Sequence, residues 1–211
     1  NYHDNINLSN KHDFAKNLDL AIEKIEKTVG YKPLGFRAPN FAIDPENSKD
    51  FDDAFSIQCN DKTTTVSIYI SNVSFWLDIM DLWSSFSQRI ATIYLPDRKR
   101  PMLPTMLSDA LCSLIKGQVR FAFTLDLTFD NTTLELLNYG FLNTSVVLKE
   151  NFVYNSKKQL KYEPYKKMET FIKRLNKKRK YIDHIGDSHD TVAYLMIFMN
   201  YISAKELVKY K

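Results

Sequence analysis

Four aspartates, Asp44, Asp50, Asp52 and Asp53, fall within a ten-residue window of this chain. An apolar run, Phe41-Ala42-Ile43, leads into the window, and a second, Ala54-Phe55-Ser56-Ile57, leads out of it. Carboxylates held together between segments that favour burial raise one another's pKa and resist full ionisation. A divalent cation relieves that penalty, and hard cations such as Mg²⁺ prefer oxygen ligands. The spacing therefore suits a metal centre. It also suits a solvated acidic loop opened by a turn at Asp44-Pro45.

The elements that must position these residues follow from periodicity. Ala54–Cys59 and Thr63–Ile70 alternate and are rich in β-branched and aromatic residues, which predicts a hairpin across Asn60-Asp61-Lys62. Val119–Phe129 alternates with period two and predicts a strand, Asp130-Asn131 a turn, and Leu134–Val147 a further strand or two. Apolar residues at helical spacing predict helices over 13–29, 75–90 and 191–210, a short helix over 106–115, and a helix from Glu163 through the basic segment. The loop from Tyr94 to Pro104 is fixed by prolines and has a basic tip at Arg98.

Charge divides the chain of 211 residues, whose net charge is +4. Residues 157–180 carry eleven lysines and arginines, among them Lys177, Lys178 and Arg179, against Glu163 and Glu169. An acidic centre beside a basic surface suits an enzyme acting on a polyanion, although lysine-rich helices commonly present a solvated face. Apolar residues make up 44% of the chain, enough for an ordinary core. No apolar run reaches the ~20 residues of a membrane span, so no membrane association is expected. Two cysteines make no framework, and no secretory leader is visible, so a cytoplasmic location, with the nucleus as the other intracellular option, is expected.

Several ordered motifs then give the aspartates a context. Asp44-x5-Asp50-x-Asp52-Asp53-Ala54 resembles the catalytic signature of RNB-domain exoribonucleases, the family of ribonuclease II, ribonuclease R and the exosome's catalytic subunit. Val66-Ser-Ile-Tyr-Ile-Ser-Asn-Val-Ser74 is similar to its "HIADVS" strand and turn, and Arg89–Asp97 to its "RGTSVYLPD". Pro101-Met-Leu-Pro104 matches "PMLP", and Leu107–Leu114 matches "LSxxLCSL".

The resemblance implies an α+β fold: a mixed, mostly antiparallel twisted sheet flanked by helices, incomplete at the C-terminus. Residues 1–36 would be an N-terminal helix and connector, a remnant of an upstream domain, and residues 37–211 a partial RNB catalytic domain. The implied reaction is metal-dependent 3′-to-5′ hydrolysis of single-stranded RNA to nucleoside 5′-monophosphates, with Mg²⁺, or Mn²⁺, as cofactor. Asp44 and Asp53 are assigned to one metal. Asp50 and Asp52 are assigned to the second metal or to positioning the attacking water, a catalytic role. Trp76 and Tyr154, the latter in a match to "LxYD", are implied RNA contacts, joined by Arg98, Lys177, Lys178 and Arg179.

The chain also departs from the pattern. Tyr69-Ile-Ser-Asn72 replaces His-Ile-Ala-Asp, and Ala193 and Tyr194 stand where the family's "IEEFMLLAN" helix carries paired glutamates. The family's later arginine segment, "TSPIRRYxD", has no counterpart, so a further C-terminal segment or a second chain is expected to complete the domain. A non-catalytic RNA-binding scaffold is the alternative from a different class. A weaker alternative is a polysaccharide deacetylase-like N-terminus, suggested by residues 22–39, but His3 and His12 lack that family's metal-site spacing.

Overall fold

A computed structural model of the chain describes residues 35–86 and 91–210. The expected helix over 13–29, most of the deacetylase-like segment and Arg89-Ile90 lie outside the described residues.

The architecture is α+β. Its centre is a five-stranded sheet in the order β1-β8-β7-β4-β3. These strands are β1 (Phe36–Arg37), β3 (Asp53–Cys59), β4 (Thr63–Ser71), β7 (Val119–Asp130) and β8 (Leu136–Val147). Pairing is antiparallel throughout except at the edge, where β1 runs parallel to β8. A separate parallel pair joins β2 (Ala42–Asp44) to β9 (Asn151–Val153). A small hairpin joins β5 (Ile93–Tyr94) to β6 (Lys99–Arg100).

The β3–β4 hairpin forms where the sequence places it, and local chemistry explains why. Asn60 Oδ1 accepts hydrogen bonds from the backbone N–H groups of Lys62 and Thr63, an Asx-type turn that closes the strands. At the neighbouring turn Asp130 Oδ1 does the same for Thr132 and Thr133. Leu134–Val147 resolves into one long strand, with a register shift opposite Thr128/Phe129.

Helices cover one face of the sheet. α3 (Lys157–Lys161) leads into α4 (Glu163–Lys178), which admits Pro164 in its first turn, where the missing N–H costs nothing. Tyr165, Met168, Phe171, Ile172 and Leu175 of α4 are buried at three- and four-residue spacing. α5 (Ser188–Leu207) begins with a reciprocal capping box between Asp187 and Asp190 and ends in a 3-10 turn, Val208–Tyr210. Both helices pack on Phe55, Ile57, Val66, Ile68, Leu125, Leu127 and Phe129 of the sheet in one core.

Two expected helices differ from the sequence pattern. The stripe over 75–90 is divided into α1 (Val73–Ile79) and α2 (Trp83–Phe86) by Asp81, which adopts φ 50° and breaks the right-handed path. Trp83 Nε1 reaches back across the break to Asp78 at 2.6 Å. Residues 87–90 lie outside the described set. The segment expected to be helical over 106–115 is a wider π-helical turn, Met106–Cys112.

Candidate active site

The four aspartates sit where β2 ends and β3 begins. β2 is held on one side by β9, with Asp44 opposite Val153, and on the other by a bridge between Phe41 and Phe55. The Tyr154 N–H donates to the Asp44 carbonyl at 3.2 Å. Asp53 opens β3 opposite Ile70, and the Asp52 carbonyl accepts from the Ser71 N–H at 2.8 Å. The carboxylates are thus anchored by two strand ends, with Asp50 and Asp52 on the connecting loop.

That loop is held by a residue to which sequence reasoning gave no role. Ser113 is fully buried. Its hydroxyl donates to the Lys49 carbonyl at 2.9 Å and accepts from the Phe51 N–H at 3.0 Å. The Phe51 carbonyl accepts from the Leu114 N–H at 2.8 Å. Arg120 completes the clamp by donating from Nε to the Ser113 carbonyl at 2.7 Å and from a terminal nitrogen to the Val119 carbonyl at 2.8 Å. The motif around Cys112-Ser113-Leu114 is therefore the buckle of the aspartate loop.

Burial dominates the electrostatics. Asp44 is pushed up to about 8, first by burial and then by the charges of Asp53, Asp52 and Asp50. Asp53 is pushed up to about 7 by burial and by Asp52, against a hydrogen bond from its own backbone. Oδ2 of each is buried without a hydrogen-bond partner. Such orphaned carboxyl oxygens are costly in a folded chain. Among the described residues, no three acidic, histidine or cysteine side chains converge closely enough to form a ready-made cation cage. The donor set fits a divalent cation in ligand type, as oxygen donors, and in its orphaned oxygens.

Asp50 and Asp52 also line a cleft of about 290 Å³ with Ile70, Met102, Leu103 and Cys112. The Pro101–Pro104 segment thus forms one wall of the aspartate site. Burial, with Asp52 close by, pushes the Cys112 thiol up to about 11, so it stays protonated and behaves as a small apolar group.

The other expected site residues divide. Tyr154 joins the aspartates: burial first, then Asp53, Asp44 and Asp187, push its phenol up to about 12. Its ring stacks on His189 at 3.6 Å between centroids and 9° between planes, a neighbour that sequence reasoning did not find. Trp76 packs in a small core with Leu77, Leu103 and Leu107, edge-on to Phe75 and Phe121. Arg98 is exposed on the β5–β6 hairpin, 3.7 Å from Asp97.

Lys177, Lys178 and Arg179 end α4 at the other end of the sheet. Lys178 donates to the Thr133 carbonyl at 2.6 Å, and Arg174 to the Asn131 carbonyl at 2.8 Å. Those carbonyls lie beside the tip of the β3–β4 hairpin, six residues along β3 from Asp53, roughly 20 Å. Lys173, Lys177, Lys180 and His184 line a cleft of about 530 Å³ there.

Both departures from the motif have structural consequences. Asn72 caps α1, its Oδ1 accepting from the Phe75 N–H at 3.1 Å, a role that asparagine fills as well as aspartate. Its amide donates to Asn143 at 2.9 Å. Tyr194 is fully buried, its hydroxyl donating to the Arg179 carbonyl at 3.0 Å, while Ala193 is exposed. That stretch of α5 therefore contributes packing and no carboxylate.

Comparison with known proteins bears on the family and the fold. The model of the RNB domain matches residues 37–190. Ribonuclease R of Aquifex aeolicus is 32% identical over 154 residues, covering 66% of this chain and 22% of the relative. Exoribonuclease 2 of Psychromonas ingrahamii is 38% identical over 115 residues, 54% of this chain and 17% of the relative. The chain spans about a fifth of the length of the curated relatives it matches. Mycoplasma genitalium RNase R, solved with double-stranded RNA, shares the fold with a TM-score of 0.70 at 20% identity, over 96% of this chain and 42% of that one. Yeast Ssd1, described as a pseudonuclease, shares it with a TM-score of 0.56 at 15% identity, over 72% of this chain and 20% of that one. With residues 37–190, most of its length, matched by the domain, the chain belongs to the RNB domain family.

Proposed function

We propose that this chain carries the metal-binding part of a 3′-to-5′ exoribonuclease site that releases nucleoside 5′-monophosphates from single-stranded RNA. The observation that carries the reading is buried Asp44 beside half-buried Asp53, each with a buried, unpartnered oxygen and a pKa pushed far above the ordinary carboxylate range. Asp44 and Asp53 would hold one Mg²⁺ or Mn²⁺, and Asp50 and Asp52 a second or the attacking water. A divalent cation there supplies activation of water and neutralisation of charge at the phosphodiester. Because burial raises the pKa of both carboxyls, a cation held there would compete with their protons, and its binding would strengthen with pH. The Ser113 buckle holds the loop so that Asp50 and Asp52 face the cleft.

Tyr154, Trp76 and Arg98 serve the RNA near the scissile end in this reading, and Lys177, Lys178 and Arg179 engage backbone phosphates farther along the strand. The relatives named ribonuclease R and exoribonuclease 2 support the substrate class. Two free cysteines favour an intracellular setting.

A second reading, an RNA-binding scaffold without catalysis, draws on the absence of a preformed cation cage among the described residues. One experiment separates the two: single-stranded RNA is incubated with Mg²⁺ and either the chain or its Asp52→Asn variant. Mononucleotide release by the chain and not by the variant supports the nuclease. RNA binding without Mg²⁺-dependent release overturns it in favour of the scaffold.

A further inference from the structure

The basic residues of α4 divide by the partners they have. Lys173 and Lys178 are paired with Glu169 and Glu135, and Lys180, just beyond the helix, with Asp183. Lys166, Lys167 and Arg174 have no carboxylate within ion-pair distance among the described residues, and all three line one cleft of about 390 Å³. With Thr170 and Phe171 they make a single stripe of the helix, at three- and four-residue spacing. The opposite wall is the turn end of the β3–β4 hairpin, with Cys59 and Thr64, and Asn131 from the next turn. Among the described residues that line the cleft, Glu163 is the one acid.

Asn131 ties the two walls together. Its Oδ1 accepts from Thr64 Oγ1 at 2.7 Å, its amide donates to the Asn60 carbonyl at 2.7 Å, and its N–H donates to the Lys62 carbonyl at 2.9 Å. Its own carbonyl accepts from a terminal nitrogen of Arg174 at 2.8 Å. That bond uses one of the five N–H donors of the guanidinium and holds the group beside the cleft. Phe171, buried edge-on against Phe129, backs the cleft from the core. The walls are therefore built from the fold, not from loose side chains. Three cations gathered in a concave site repel one another and concentrate field of one sign, which draws an anion.

We propose that this cleft is a phosphate-binding site remote from the aspartates, in which Lys166, Lys167 and Arg174 take the oxygens of a phosphate group. A guanidinium fork beside two ammonium groups is a donor set that phosphate oxygens accept well. Cys59 lies six residues along β3 from Asp53, roughly 20 Å, so a phosphate held here is not the one beside the aspartates. The group belongs to the backbone of an RNA strand lying along α4 or to a free phosphate compound, and the cleft offers both the same chemistry. The inference goes beyond the nuclease reading and stands whether or not the aspartates cleave RNA.

Cys59 supplies the readout, because it is exposed and lines the cleft, whereas Cys112 is buried. Its alkylation by N-ethylmaleimide, a neutral reagent, is followed by mass spectrometry in EDTA, which keeps the aspartates free of metal. The rate is measured without ligand, with inorganic pyrophosphate and with a short single-stranded RNA. The unaltered chain is compared with Lys166→Ala/Lys167→Ala and with Lys157→Ala/Lys158→Ala, which removes the same charge from α3, outside the cleft. Ligand is expected to slow alkylation several-fold in the unaltered chain and in the α3 variant, and to leave the cleft variant unprotected. Protection by RNA at lower concentration than by pyrophosphate assigns the cleft to a strand, and the reverse order assigns it to a free phosphate compound. In the first case the cleft variant should also flatten the salt dependence of RNA affinity, by about 0.7 in log–log slope for each phosphate contact removed. No protection of the unaltered chain by either ligand, or equal protection of both variants, overturns the site. Protection by pyrophosphate in a chain that binds no RNA keeps the site and overturns the RNA-directed reading alone.

Discussion

Buried Asp44 makes a quantitative prediction about stability against pH. Asp44 has an ordinary pKa of 3.8 and one of about 8 in the folded chain. Between those values the native carboxyl keeps a proton that the unfolded chain has lost. The native state then binds more protons, so stability falls as pH rises, until the folded group itself ionises near pH 8. One such proton corresponds to about 1.4 kcal/mol per pH unit, or roughly 2.7 kcal/mol between pH 5 and 7. For a chain of this length each kcal/mol moves the melting temperature by about 2–4 °C, which gives a fall of roughly 5–10 °C over that interval. Asp44 is only 8% exposed, so solvent screening removes little of the effect. Asp44→Asn replaces the carboxyl with a neutral group of the same shape and abolishes this contribution. The assay is thermal unfolding by circular dichroism in EDTA at pH 5, 6 and 7, comparing the two proteins. The unaltered chain should lose melting temperature relative to Asp44→Asn as pH rises. Added Mg²⁺ at pH 7 should then raise the melting point of the unaltered chain more than that of the variant, because binding to the native state alone is stabilising. Melting curves that run parallel across the pH range would refute the assignment of Asp44 as a carboxyl protonated by burial.

Three further outcomes are expected. Ser113→Ala leaves the Phe51 N–H and the Lys49 carbonyl without the hydroxyl they share; it should cost about 1–3 kcal/mol in denaturant unfolding and weaken Mg²⁺ binding measured by calorimetry. Asn72→Ala removes the cap of α1 and should cost about 1 kcal/mol, whereas Asn72→Asp should retain most of the stability in the same unfolding assay. Reversing the charges of Lys177, Lys178 and Arg179 together should weaken RNA binding and flatten its dependence on salt, and an unchanged salt slope would assign them to a solvated helix face.

What was legible in the sequence was local. The β3–β4 hairpin rests on alternation and on the asparagine turn that joins its strands, all within about 20 residues. α4 and α5 follow from apolar spacing, although the Asp187–Asp190 capping box starts α5 at Ser188, three residues before the spacing does. The long stripe over 75–90 misled because periodicity does not register a single left-handed residue such as Asp81. The short strands β1, β2 and β9 carry almost no pattern of their own. They exist through partners such as Ser145 for Phe36 and Asn151 for Ala42, more than a hundred residues away.

The same division runs through the site. The sequence by itself determined which groups are available: four carboxylates in ten residues, the motif spacing around them and the basic run beyond residue 157. Tertiary structure alone decided their states. Asp44 is buried because β2 is enclosed between β9 and the Phe41–Phe55 bridge, and it is coupled to half-buried Asp53 at the start of β3. Asp50 and Asp52 face a cleft because Ser113, over 60 residues away, holds their loop. His189 covers Tyr154 because Asn155 and Ser188 bond each other across 33 residues. Burial, Coulombic coupling and ring contact all depend on distances that long-range pairing sets, and spacing along a chain does not contain them.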